Sequence, residues 1–490
     1  MPRPFFELVS KCRLWTFCAS YTSNKALKRQ RQRDSAVYDV HSRDSLKSKQ
    51  VYVFGFTATG ALGNKTYLGQ RGKPGIVGVS HPVPLKCLSS LGIPIKAACG
   101  YGFTTYICEG SNGDFGVYGC GINSDGQLGS QSVGLKSTLD SGDSINVVPE
   151  PVRIHIPLNN AEKQIYRPSH VACGRAHTII SYENLKGRSG DTPPLVFSLG
   201  NNVFGQCGRE IIAGEKYDHD TEVITRIVLP PEIQSIKQLV CGQDHSILLS
   251  SDGVVYTCGL GSDGQTGLGH YDTVDRFTAV KGALINERVC LLSSRGDTVL
   301  ALTESNKLFA WGNNEYGQIW PLDQHVQVPD PIHLNLDQCI VPAESNLCSD
   351  NVHIGEVQSI ACAGSMCCIV NKIGQVFVWG FGCIGLGPKV THSPRPTLIP
   401  PGLFIPAVVN SELCINYVVA GLHHFIVQSV DGLLWSWGAP RGGLHCLGLG
   451  KQITKNANNQ TYPTPLLLPI KSTYVVCGVD HTVVIGKSFG

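Results

Sequence analysis

Long apolar runs are missing from this 490-residue chain. No uncharged stretch reaches the roughly 18 residues that a membrane-spanning helix needs, so no transmembrane segment is expected. A dominant charge of one sign is also missing, since 40 Lys and Arg against 37 Asp and Glu leave a net +3. That small excess is uneven. Residues 1–50 hold eleven basic and four acidic side chains, a local +7, which leaves the remaining 440 residues near −4. A mildly acidic body offers no broad cationic field for nucleic acid, so any such binding falls to a local patch or to the basic leader. Constellations for catalysis are equally scarce. No Ser/His/Asp, paired-carboxylate or Cys/His arrangement stands out among 37 acids and 16 histidines, and neither hydrolytic or redox chemistry nor a cofactor is expected.

Glycine and cysteine, by contrast, are abundant. The 55 glycines, with 42% of residues hydrophobic, argue against disorder and collagen and for many tight turns between short strands. The 20 cysteines are scattered, and several share one recurring place, as in Cys99-Gly100, Cys173-Gly174, Cys241-Gly242 and Cys477-Gly478. They read as buried, reduced thiols in a reducing compartment. Residues 1–33 carry Arg3, Lys11, Arg13, Lys25, Lys28, Arg29, Arg31 and Arg33 with Glu7 as the only acid. Apolar Phe5, Phe6, Leu8, Leu14, Trp15 and Phe17 lie between them. Such a leader, residues 1–50, fits a mitochondrial transit peptide plus linker. The basic run from Lys28 to Arg33 keeps a nuclear localisation signal as the alternative.

From residue 51 a pattern repeats: a β-branched or alternating strand ends in an aromatic or Cys before Gly. Its copies end at Gly55, Gly121, Gly200, Gly259, Gly312, Gly380 and Gly438. The spacings of 66, 79, 59, 53, 68 and 58 residues suit four-stranded antiparallel blades with loops of varying length. A turn glycine follows about five residues later, as in Asn201-Asn202-Val203-Phe204-Gly205, where Asn and Gly accept positive φ. Upstream of each strand end lies a second motif, Cys-Gly-x-x-His, seen at His177, His245 and His481, and as Ala420-Gly421-Leu422-His423-His424. The repeats begin with a second half-repeat, Val51 to Gly63, and end with a first half, Val475 to Ile485. Joined, the two complete one blade and leave no free sheet edge. The expected fold is all-β: a single seven-bladed β-propeller over residues 51–490, closed by its N- and C-terminal half-repeats.

These phased motifs resemble the regulator-of-chromosome-condensation repeat family over about nine-tenths of the chain; WD and kelch signatures do not recur. With its leader and the opening Gly55-Phe56-Thr57-Ala58-Thr59-Gly60, the chain looks most like the mitochondrial branch of that family. The resemblance implies a guanine-nucleotide exchange factor rather than an enzyme with its own active site. It would act by protein–protein contact on a mitochondrial, dynamin-like fusion GTPase at the inner membrane. It also implies the alternative of a scaffold for mitochondrial ribosome assembly or ribosomal RNA maturation.

Several motifs invite chemistry and are better read as structure. Gly259-Leu260-Gly261-Ser262-Asp263-Gly264 has dinucleotide-loop spacing, but no helix pattern follows to supply converging N–H groups. Gly486-Lys487-Ser488 lies too near the end of the chain for a phosphate loop. The positions of His177, His245, His424 and His481 hold Phe103, Thr298 and Met366 in other repeats, which marks a packing site tied by hydrogen bonds rather than a metal or base. Cys362, Cys367, Cys368 and Cys383 are dense enough to suggest zinc, yet adjacent Cys367 and Cys368 must point to opposite faces of a strand. Trp311, Trp379, Trp435 and Trp437 read as blade core. Function is therefore expected in insertions that interrupt the repeat, near 130–150, 183–193, 209–222 and 337–355. The third carries Glu210, Glu215, Asp218, His219, Asp220 and Glu222. Two readings stand for it: a solvated acidic loop, or carboxylates that compete for a partner's phosphate-binding Lys or for its metal's place.

Overall fold

The computed structural model describes residues 49–68, 75–131, 135–138, 144–184, 192–217, 224–320, 325–337, 353–404, 414–440, 443–450 and 459–489. Their strands form seven antiparallel sheets, the blades of a propeller. The closing blade takes its two inner strands, Ile470–Cys477 and His481–Ser488, from the end of the chain. Its two outer strands, Gln50–Phe56 and Gly78–Pro84, come from the start. Thus Val51 pairs with Ile485 and Gly55 with His481. The second blade starts at Ile93, the third at Tyr166, the fourth at Ile236, the fifth at Val289, the sixth at Val357 and the seventh at Ile415. One departs from the expected four strands. The insertion near 130–150 adds a hairpin, so Leu135–Thr138 extends the second blade to five.

Burial follows strand position. The second strand of the fourth blade, His245–Ser250, is buried throughout, because both of its faces are covered by neighbouring blades. The innermost strand, Ile236–Cys241, alternates buried with half-buried or exposed residues, because one of its faces looks into the central channel. Among the described residues the core divides into seven clusters, and each spans two adjacent blades. Trp311 packs between the fourth and fifth blades, Trp379 between the fifth and sixth, and Trp435 and Trp437 between the sixth and seventh. A lone blade would expose both apolar faces, so only the closed ring hides them.

Candidate functional site

The two repeat motifs meet across one strand pair. Each strand-end glycine lies opposite the histidine position of its own blade: Gly55 faces His481, Gly121 Phe103, Gly200 His177, Gly259 His245, Gly312 Thr298, Gly380 Met366 and Gly438 His424. All seven have φ between 93° and 143°. A Cβ on any of them would lie 2.1–2.5 Å from the carbonyl oxygen of the residue before the histidine position. That carbonyl instead accepts the N–H of the residue after the glycine, as from Asn201 to Ala176 and Asn313 to Asp297, both at 2.9 Å. The loop after the third strand therefore leaves the sheet beside the turn between the first two strands. Both sets of loops crowd one face of the ring.

The histidines staple this face together. His177, His245, His424 and His481 are fully buried. His177 Nε2 contacts Ser246 Oγ at 2.9 Å, His245 Nε2 contacts Ser294 Oγ at 3.2 Å and His481 Nε2 contacts Thr104 Oγ1 at 2.9 Å, each across to the next blade. His424 Nδ1 instead lies 3.7 Å from Cys446 Sγ in its own blade. The ring also explains the glycine of Cys-Gly-x-x-His, since a Cβ at Gly174 or Gly242 would sit 2.1 or 2.0 Å from the Cε1 of His177 or His245. Burial pushes His177, His245 and His424 down to about 3. Between about pH 6.5 and 3 the unfolded chain binds protons that these rings refuse, so stability falls as pH falls, by up to about 1.4 kcal/mol per pH unit per ring. Asp297, which burial and the nearby Asp263 and Asp244 push up to about 7, has the opposite sign and offsets about one ring. The urea midpoint is expected to be lower at pH 5.5 than at pH 7; an equal or higher midpoint would refute this reading of the rings.

On the same face the third blade carries its insertion. Asn202 Oδ1 accepts the N–H of Cys207, while its Nδ2 donates to the carbonyls of Arg209 and Glu210, both at 3.1 Å. Arg209 forks onto Glu215 with contacts of 2.6 and 3.1 Å, and Tyr217 Oη donates to Glu215 at 2.7 Å. Glu215 and Arg209 are only 15% and 12% exposed. Glu215, expected to offer its charge to a partner, is paired with Arg209 and Tyr217 within its own loop. Glu210 is exposed, and so are Ile211 at 40% and Ile212 at 56%. Among the described residues of this loop, Ile211 and Ile212 present an apolar tip. Asp218, His219, Asp220 and Glu222 lie outside the described residues.

The model of the regulator of chromosome condensation (RCC1) repeat matches residues 116–181 and 431–485, and a second model of that repeat matches 236–265 and 296–318. The RCC1-like G exchanging factor-like protein of Mus musculus is 34% identical over 462 residues, 93% of this chain and 91% of that protein. The chain belongs to the RCC1 family. The Homo sapiens protein of the same description is 35% identical over 450 residues, 90% of this chain and 88% of its own. The crystal structure of human WBSCR16 superposes with a TM-score of 0.75 at 34% identity, covering 91% of this chain and all of that one. Prp20p from Saccharomyces cerevisiae shares the fold, with a TM-score of 0.65 at 19% identity, covering 91% of this chain and 93% of its own.

Within this RCC1 fold the remaining sequence candidates serve as packing. Cys362 and Cys367 face the cluster between the fifth and sixth blades with their sulfurs 3.5 Å apart, and Cys368 faces the opposite side, so the thiols do not converge. Trp311 and Trp379 donate their indole N–H groups to the carbonyls of Gln265 and Gln318. Residues 486–488 lie within a strand. Sequence reasoning passed over one residue, Arg295. It stands in the fifth blade where other repeats place Gly100, Gly174, Gly242, Gly421 and Gly478. Only there does the ring position shrink to Thr298, which leaves room for a long side chain. Arg295 Nη1 crosses the channel to the carbonyls of Cys99 and Cys173, at 2.7 and 3.5 Å. The signal was a glycine missing from a repeat that needs one only beneath a ring.

Proposed function

We propose that this chain is a guanine-nucleotide exchange factor that acts by protein–protein contact on a mitochondrial GTPase, of the dynamin-like fusion class. The observation that carries this reading is the 34–35% identity, across about nine-tenths of the chain, to RCC1-like G exchanging factor-like proteins. The docking element is the third-blade loop, whose Ile211 and Ile212 are exposed on a turn already ordered by Asn202 and the Arg209–Glu215 pair. Such preorganisation lowers the entropy cost of engaging a partner. Exchange requires only that the nucleotide-free GTPase bind this surface more tightly than the nucleotide-bound form, so that binding shifts the equilibrium toward release. The mitochondrial setting rests on the basic, acid-poor leader.

The test is release of a fluorescent guanine nucleotide from a dynamin-like inner-membrane GTPase. Catalytic amounts of the chain are expected to accelerate it, and the tagged full-length protein is expected in the mitochondrial fraction. Unchanged release, together with co-sedimentation with ribosomal particles, would replace this reading with the scaffold.

A further inference from the structure

The seven innermost strands enclose a channel of about 320 Å³. Among the described residues that line it, Arg295 is the only charged one. Its Nη1 is held by two backbone carbonyls, its Nε is buried with no hydrogen-bond partner, and no carboxylate pairs with it among the described residues. The carbonyls it reaches belong to the second and third blades, across the ring from its own, which places the guanidinium near the propeller axis. Cys99, Cys173, Cys241, Cys477 and His424, on five different blades, all feel its charge. Arg295 is half-buried, and a partly desolvated guanidinium with no counter-charge beside it is stabilised by a bound anion.

The channel walls supply further donors. Ser293 Oγ accepts the N–H of Cys362 and Ser359 Oγ accepts the N–H of Val418, at 2.9 and 3.0 Å. Each hydroxyl proton is thereby left to point elsewhere, and both residues line the channel. A planar guanidinium and hydroxyl donors lining one cavity, with no carboxylate among its described lining residues, match the chemistry of a small oxyanion. We propose that the axial channel is an oxyanion-binding site in which Arg295 is the anchoring cation, and that the ligand carries a phosphate or carboxylate group. This site does not depend on the exchange reading.

The experiment is thermal unfolding of the full chain titrated with inorganic phosphate or with acetate, at constant ionic strength. Wild type is expected to show a rise in Tm that grows with the logarithm of ligand concentration above the dissociation constant and reaches about 2 °C at ten times that constant. Arg295→Gly, which installs the residue five other repeats use, is expected to fold and to lose the rise. Arg295→Gln, which keeps amide donors for the two carbonyls but no charge, is expected to lose it as well. A response to phosphate alone assigns a phosphate ligand, and a response to both ions assigns the wider oxyanion class. No rise in Tm in wild type, or an equal rise in the variants, overturns the proposal. Should a variant fail to fold, titration calorimetry of wild type with the same two ions reads the binding directly: saturable heat supports the site, and its absence overturns it.

Discussion

Gly312→Ala is expected to cost about 3–5 kcal/mol and leave little folded protein, whereas Gly214→Ala is expected to cost only about 1 kcal/mol. Both glycines have positive φ, 100° and 74°, so the left-handed backbone is common to the two. What differs is the space. A Cβ at Gly312 would lie 2.1 Å from the Asp297 carbonyl oxygen and 3.2 Å from the Asp297 carbonyl carbon and Thr298 Cα. These are backbone atoms where the turn enters the paired strand Thr298–Thr303, and they cannot rotate away as a side chain could. Retreat would also break the 2.9 Å bond from the Asn313 N–H to Asp297 and part the fifth blade where its loop joins this face of the ring. At Gly214 nothing lies within 4 Å of the added atom. Urea midpoints of the two variants decide the matter, and equal midpoints would mean that close approach is not why the strand ends in glycine.

The second large effect concerns the third-blade loop. The double substitution Ile211→Asp with Ile212→Asp is expected to slow catalysed nucleotide release about 100-fold, as loss of central apolar contacts does at interfaces. Stability should stay within about 0.5 kcal/mol, because both side chains already face water. Arg209→Ala should have a smaller effect, about tenfold, by removing the fork that holds Glu215 and loosening the tip without touching the partner. Fluorescent-nucleotide release at matched folded concentration separates the two. Full activity in the double variant would remove this loop from the docking surface.

The repeat was legible because its causes are local. A glycine that must take positive φ and a histidine that must be buried leave the same mark in every blade, whatever loop intervenes. Their phase was enough to anticipate the closing blade, in which Val51 pairs with Ile485. That Gly312 stands opposite Thr298 and clears the Asp297 carbonyl was not legible, since strand register is set between segments rather than within them. The carboxylate of Glu215 shows why the site was harder. The sequence displays its charge, but only the folded loop shows Arg209 and Tyr217 consuming it.

By itself, then, the sequence determined the seven blades, their order and the closure of the ring, because β-patterning, turn glycines and repeat phase are properties of short stretches of chain. Only the tertiary structure decided which groups remain available to a partner or ligand. Availability depends on what lies across the ring: Ser246 stands over His177, Arg209 silences Glu215, and Arg295 reaches two distant blades to sit nearly alone in the channel. Those distances run through space between residues far apart in sequence, where no local pattern can record them.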